Sequence, residues 1–178
     1  MNIDQLKATI TTIPDYPKPD INFRDVTSLL QVPEALRETI RLMCEPNRDS
    51  GIDKIVAIEA RGFVFGAAMA LELGCGLVLA RKPGKLPRAT RAAAYTLEYG
   101  ENTLHIHTDA IHAGERVLLV DDLIATGGTA EAAVELIKGF EATLVGAAFA
   151  VALVDLPGLA KLSALSVKVH HVIEFEGD

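Results

Sequence analysis

The chain contains no tryptophan, only two cysteines, and no apolar run of the roughly 18 residues that a membrane-spanning helix needs. Its first twelve residues also lack the basic stretch and apolar core of a secretory signal. Cys44 and Cys75 lie far apart in apolar or helical surroundings, so we expect two reduced, structural thiols. These absences predict a cytoplasmic protein without a membrane anchor.

Positive charge is also scarce, because 17 lysines and arginines face 24 acidic residues and the net charge is −7. That balance argues against a nucleic-acid partner. The segment 81–91 is the exception, since it carries five basic residues and no acid. It could be a solvated loop, but a second anion signal elsewhere in the chain favours binding of a strongly anionic ligand.

The 178 residues are 49% hydrophobic, which is enough for one well-packed domain spanning 1–178. Apolar runs alternate with helical patterns, so we predict an α/β fold with a doubly wound, mainly parallel sheet flanked by helices. Residues 82–100 show prolines and glycines and no core pattern, and we expect a long functional loop there. The predicted strands are 52–58, 76–80, 104–106, 117–121, 144–154 and 167–175, and the predicted helices begin at Pro33 and cover 62–73 and 129–139.

The most informative segment runs from Val117 to Ala130. A buried strand leads directly into Asp121 and Asp122, followed by a Thr-Gly-Gly-Thr loop and a helix. Glycines let backbone N–H groups wrap an anion, and the helix points its positive end at the same place. An ordinary strand–turn–helix unit is the alternative, but the acid pair with the loop predicts a sugar-phosphate site.

A second turn of this kind is Glu59-Ala60-Arg61-Gly62-Phe63, which follows one predicted strand and opens a helix. Such a turn is suited to bind an anion, with Arg61 as a side-chain donor. The alternative is a plain strand–helix turn with a surface arginine.

The 117–130 segment resembles the phosphoribosyl-diphosphate motif of the type I phosphoribosyltransferases. The segments 16–25, 81–87 and 95–100 resemble the adenine phosphoribosyltransferase family specifically, in the expected order along nearly the whole chain. The resemblance implies transfer of a 5-phosphoribosyl group from phosphoribosyl diphosphate to adenine, giving AMP and diphosphate. It also implies a small N-terminal base-binding hood, a flexible loop, a homodimer, and a Glu59–Ala60 peptide that can be strained or cis.

The same resemblance assigns roles to residues. Mg²⁺ is implied as a cofactor that arrives with the diphosphate, with no direct protein ligand. The base would be read by backbone groups of Asn22 and Arg24, so that a 6-oxopurine is rejected. The implied residues are Asp121, Asp122, Ala125, Thr126, Gly127, Gly128 and Thr129 for the ribose 5-phosphate; Ala60, Arg61, Arg81, Lys82 and Lys85 for the diphosphate; Asn22, Phe23 and Arg24 for adenine; Glu98, Arg61 and Lys82 for catalysis; and Tyr99 for loop closure.

Other interpretations stay open at this point. One is a transferase for another base, and a second is a nucleotide-sensing regulator that has lost catalysis. A third is a histidine metal site built on His105 and His107, to which His170-His171 could add another ligand. The chain also departs from the family pattern at Asp20, where relatives often have glycine, at residues 91–94 and at Glu141.

Overall fold

We describe the protein from a computed structural model, which covers residues 1–97 and 100–177. No helix within these ranges is long and apolar enough to cross a membrane. The elements are α1 (Ile3–Ala8), β1 (Thr11–Ile13), β2 (Phe23–Asp25), α2 (Thr27–Leu30), α3 (Pro33–Cys44), β3 (Lys54–Ile58), α4 (Gly62–Leu73), β4 (Gly76–Ala80), β5 (Thr90–Leu97), β6 (Gly100–His107), β7 (Arg116–Ile124), α5 (Gly128–Lys138), β8 (Thr143–Leu153), α6 (Gly158–Ala164) and β9 (Val169–Phe175).

Five parallel strands form the central sheet in the order β4-β3-β7-β8-β9. Successive side chains of a strand point to opposite faces, so β3 contributes to two apolar layers. Val56 and Ile58 pack in the layer that contains α5 and α6, whereas Ile55 and Ala57 pack in the layer that contains α1 to α4. Helices thus cover both faces, which confirms the predicted doubly wound sheet.

The centre of the sheet opens where its strands separate. On one side β7 pairs with β3 only as far as Val120, but on the other side it pairs with β8 up to Ile124. The strand therefore runs three residues beyond its predicted end at Asp121. Because β3 ends at Ile58, the last residues of β7, including Asp121 and Asp122, have no β3 neighbour on that side.

A small antiparallel ribbon of β1 and β2 forms the N-terminal hood, held by α1 and α2. The connection between its strands contains a cis Tyr16–Pro17 peptide and two aspartates, Asp15 and Asp20, with positive φ. Aspartate tolerates this conformation better than most residues, so Asp20 is accommodated where the resemblance led us to expect glycine. Glu141 has a positive φ as well, of 58°.

The prediction of one long loop over 82–100 was wrong in its second half. Residues from Thr90 form β5, which pairs antiparallel with β6 from Thr90 opposite His107 to Leu97 opposite Gly100. The predicted strand 104–106 is the end of this longer β6. Arg91 holds the ribbon onto α5, since its guanidinium donates to the Gly139 carbonyl and lies 4.9 Å from the centre of the Phe140 ring.

Candidate active site

The Thr-Gly-Gly-Thr loop forms the turn that leads into α5. Gly127 precedes the helix with φ of +80°, and no side chain caps the helix. The first backbone N–H groups of a helix have no acceptor within it, so they are available to a ligand. They border a cavity of about 130 Å³ that is lined by Asp121 and by residues 123–130.

The two acids have different environments, and only Asp121 lines this cavity. Asp122 is 4% exposed and forms an ion pair with Arg61. The Asp121 carboxylate accepts the N–H of Asp122 at 2.9 Å. Burial, and then the neighbouring Asp122 carboxylate, raise the pKa of Asp121 well above its usual range. A bound polyol could satisfy this carboxylate with hydroxyl donors.

The Glu59–Phe63 turn lies directly beside the acids. A Cβ atom at Gly62 would come within 2.6 Å of the Asp121 Oδ1 and 3.1 Å of the Asp121 Cα, so a side chain there would displace the Asp121 carboxylate. The Glu59–Ala60 peptide is cis, as the resemblance allowed. Arg61 is 44% exposed and reaches both the Asp122 carboxylate and the hood, where its guanidinium carbon lies 5.9 Å from the Phe23 ring centre.

Glu59 joins this turn to the basic segment, which sequence reasoning did not foresee. Its carboxylate accepts the Lys82 N–H at 2.9 Å and the Arg81 Nε at 3.2 Å. Although burial raises the pKa of Glu59, the hydrogen bonds from Lys82 and Arg81 outweigh it and lower the pKa below its usual value. Arg81 also donates to the Lys85 carbonyl, so its guanidinium is held within the protein, whereas Lys82 and Lys85 are exposed.

The hood presents an aromatic pair above these groups. Tyr16 meets Phe23 edge to face, with ring centres 5.2 Å apart. Asn22 is exposed, and the side chain of Arg24 is occupied elsewhere, by Thr12 and by the end of β9. The predicted residues of the hood, the turn and the loop therefore lie together at the end of the sheet where β3 and β7 finish.

Two predicted residues, Glu98 and Tyr99, lie outside the described residues. The histidines of the rival metal site have other partners: His105 contacts Thr90 and Thr103, and His107 contacts Arg88. Among residues 1–97 and 100–177, no three His, Cys, Asp or Glu side chains are grouped as a metal site. Cys44 and Cys75 are both free thiols.

Sequence reasoning also missed Gly158, whose backbone packs against the Thr-Gly-Gly-Thr loop at Ala125 and Gly127. Its N–H donates to the Ala125 carbonyl at 2.9 Å. A Cβ atom here would lie 2.3 Å from that oxygen, and one at Gly127 would lie 2.7 Å from the Gly158 Cα. A Pro-Gly pair such as Pro157-Gly158 is a turn signal and does not identify a packing partner.

The arrangement can bind a molecule with two anionic groups and a polyol between them. The α5 loop suits a terminal phosphate, the acid pair suits hydroxyls, and Arg61 with the two exposed lysines suits a second anion. The aromatic hood stands on the far side of Arg61 and suits a planar group. Together these groups suit a phosphorylated sugar that carries a second anionic group and lies beside a planar base.

Comparison with known proteins agrees with this geometry. The phosphoribosyl transferase domain family matches residues 25–174. Adenine phosphoribosyltransferase of Shewanella amazonensis is 53% identical over the full length of both chains. The crystal structure of the Rhodothermus marinus adenine phosphoribosyltransferase superposes with a TM-score of 0.91 at 46% identity, covering 97% of this chain and 98% of that one.

A third relative carries ligands. The Saccharomyces cerevisiae adenine phosphoribosyltransferase, crystallised with an imino-altritol bisphosphate and adenine, is 38% identical with a TM-score of 0.89. The match covers 96% of this chain and 98% of the yeast chain. The chain belongs to the phosphoribosyltransferase family, among the adenine phosphoribosyltransferases.

Proposed function

We propose that this protein transfers the 5-phosphoribosyl group of phosphoribosyl diphosphate to adenine, giving AMP and diphosphate. The observation that carries the proposal is the position of Arg61, which touches the buried acid of the sugar site and faces the hood ring at the same time. The relatives named above are transferases, which favours an enzyme over a regulator.

The ribose 5-phosphate is assigned to the acid pair and the loop. Asp121 and Asp122 accept hydrogen bonds from the ribose hydroxyls. The backbone of Ala125 to Thr129, with the Thr126 and Thr129 hydroxyls, binds the 5-phosphate. Because the helix dipole and free N–H groups are fixed before the ligand arrives, little reorganisation opposes binding.

The diphosphate is assigned to the Ala60–Arg61 turn and the basic segment. Displacement at the ribose carbon makes that carbon cation-like and places negative charge on the departing diphosphate. Arg61, Lys82 and Lys85 stabilise that charge. Arg81, with its guanidinium held by Glu59, fixes the position of the neighbouring lysine rather than acting as the main donor.

Adenine is assigned to the hood. The Phe23 ring covers the base face, and backbone groups of Asn22 and Arg24 read its edge. The engagement of the Arg24 side chain elsewhere suits this role, because only the backbone of that residue is left for the base. The yeast relative crystallised with adenine supports the choice of base.

Glu98 manages the proton of the attacking base nitrogen, and Tyr99 helps close the loop over the reacting atoms. These two roles rest on the resemblance alone. Exclusion of water is required because water would otherwise capture the cation-like carbon.

Mg²⁺ fits this scheme as an ion carried by the diphosphate, on which it neutralises charge. The acid pair is assigned to the ribose hydroxyls, and Asp122 is also paired with Arg61, so neither carboxylate is assigned to the metal. The protein's part is then to hold the diphosphate oxygens with Arg61 and the lysines.

We propose a homodimer that uses an exposed apolar stripe on α4. Val64 and Leu71 lie two turns apart on one face and are 44% and 86% exposed, and Leu77 on β4 is 39% exposed. Such a patch marks an interaction site. Sedimentation should give twice the 19.0 kDa chain mass, and Leu71→Glu should give the monomer. Ser163→Glu, at an exposed position of α6, should stay dimeric. A dimer in both variants would exclude the α4 face as the interface.

The proposal is tested by incubating the protein with adenine, phosphoribosyl diphosphate and Mg²⁺. We expect AMP and diphosphate in equal amounts, and neither after chelation of the metal. Replacement of both acids by asparagine should abolish ribose 5-phosphate binding. The matched control is Asp49→Asn, an exposed residue in the turn before β3, at the other end of the sheet. Unchanged ribose 5-phosphate affinity in the double variant would refute the sugar assignment.

A further inference from the structure

The side chain of Arg24 links the hood to a distant part of the chain. Its Nη1 donates to the Thr12 hydroxyl at 2.6 Å, and its Nη2 donates to the Glu176 carbonyl at 3.3 Å. Its guanidinium carbon lies 4.5 Å from the centre of the Phe175 ring. These contacts join β2, which is assigned to the base, to the end of β9.

Phe175 is the centre of this link. The residue is 7% exposed, and the Nζ of Lys7 lies 4.7 Å from its ring centre. Lys7 belongs to α1, which supports the hood, and Arg24 belongs to the hood strand β2, so cations from both elements contact one aromatic ring. A cation over a ring face is an attractive, directional contact, and it fixes where the hood sits against the sheet.

The same segment continues toward the phosphate-binding loop. The Val154 N–H donates to the Phe175 carbonyl at 3.0 Å, and the Gly177 N–H donates to the Asp155 carboxylate at 2.7 Å. Three residues after Asp155, Gly158 donates to the Ala125 carbonyl. These contacts, with the three residues of chain from Asp155 to Gly158, therefore join the hood to the loop that is assigned to the 5-phosphate.

We propose that residues 175–177 form a clasp that positions the adenine-binding hood relative to the ribose-phosphate site. This inference rests on the function proposed above for the hood and the loop. The clasp touches no substrate and sets the distance between the base nitrogen and the ribose carbon. Because bond formation requires these atoms in near-contact, a loosened hood lowers turnover with adenine and leaves ribose 5-phosphate binding intact.

Phe175→Leu tests the clasp, because it keeps an apolar side chain and removes the ring face. We expect kcat/KM for adenine to fall by about tenfold or more, since misplacement by about 1 Å costs up to about 100-fold. The Kd for ribose 5-phosphate should change by less than about twofold. The matched control is Phe140→Leu, another nearly buried phenylalanine with an arginine over its ring, which should leave the ratio of the two quantities unchanged.

Two variants of Arg24 separate positioning from general destabilisation. Arg24→Met removes the cation and its hydrogen bonds, and we expect it to match Phe175→Leu. Arg24→Lys keeps a cation for the ring and should recover part of the adenine kcat/KM. The clasp would be overturned if Arg24→Met and Arg24→Lys lost the same adenine kcat/KM. It would also be overturned if the adenine kcat/KM and the affinity for ribose 5-phosphate fell by the same factor.

Hydrogen exchange of the hood provides a test that does not depend on adenine. Backbone amides of β1 and β2 should exchange faster in Phe175→Leu than in the unaltered protein and in Phe140→Leu. Unchanged exchange would overturn the clasp even if adenine turnover fell. Failure of the unaltered protein to make AMP would instead count against the proposed function, and the exchange result would still decide the positioning role.

Discussion

Replacement of Gly158 by alanine should displace the loop 125–129, which we assign to the 5-phosphate, without altering any residue of that loop. The added methyl group would lie 2.3 Å from the Ala125 carbonyl oxygen and 2.7 Å from the Ile124 Cγ1. Real Cβ atoms essentially never approach closer than 3.0 Å, so the carbonyl and the methyl must separate by at least 0.7 Å. The carbonyl is backbone of the loop itself, so the loop has to move.

The size of the effect follows from that displacement. Overpacking of this kind costs about 1–3 kcal/mol of unfolding free energy, and about 1 kcal/mol lowers Tm by about 2–4 °C in a chain of this length. A shift approaching 1 Å in a preorganised site costs up to about 100-fold in function. We therefore expect at least about tenfold weaker binding of ribose 5-phosphate, together with a moderate loss of stability.

Calorimetric titration with ribose 5-phosphate and thermal unfolding measure the two effects. Gly76→Ala is the matched control, because a methyl group there meets the Lys54 Cγ at an ordinary 3.5 Å. It should leave the affinity unchanged. If Gly158→Ala folds and binds ribose 5-phosphate as tightly as the unaltered protein, the loop does not bind the phosphate.

Two further predictions concern the carboxylates of Asp121 and Glu98. Folding raises the pKa of Asp121 above its usual value near 3.8. The protonated carboxyl therefore adds to the free energy of unfolding below pH 3.8, and this contribution is lost as the pH rises through the raised pKa. Asp121→Asn should thus melt higher than the unaltered protein at pH 8, by a margin that shrinks toward pH 4, while binding ribose 5-phosphate more weakly; a lower Tm at pH 8 would contradict this account. Glu98→Gln should lower kcat more than about tenfold and leave phosphoribosyl-diphosphate binding nearly intact, as expected when an acid/base group is removed. Equal losses in both quantities would remove its acid/base role.

The sequence was most informative where function depends on local backbone. The order of strand, acid pair, glycine loop and helix is contained in residues 117–130, and its geometry follows from strand and helix rules. The predicted α4 and β4 boundaries coincide with the structure for the same reason, since a helix ending before Gly74 and a short apolar strand are local patterns.

Features that depend on distant partners could not be predicted in this way. The β5 strand contains Arg91 followed by three alanines, which have low strand propensity, and it forms because β6 pairs with it. The Glu59 carboxylate meets Arg81 from 22 residues away, and Arg24 meets Glu176 across 152 residues. Hydrophobic periodicity predicts helices and strands and does not predict side-chain contacts between distant residues. The contacts of Glu59 and of residues 175–177 were therefore found only in the structure.

Base selectivity tests the central claim most directly. We would measure kcat/KM for adenine, hypoxanthine, guanine, uracil and orotate with saturating phosphoribosyl diphosphate and Mg²⁺. The account predicts AMP formation from adenine and strong rejection of the 6-oxopurines, because the backbone of the hood pairs with the exocyclic amine of adenine. Comparable turnover of hypoxanthine, or tight phosphoribosyl-diphosphate binding without turnover of any base, would contradict it.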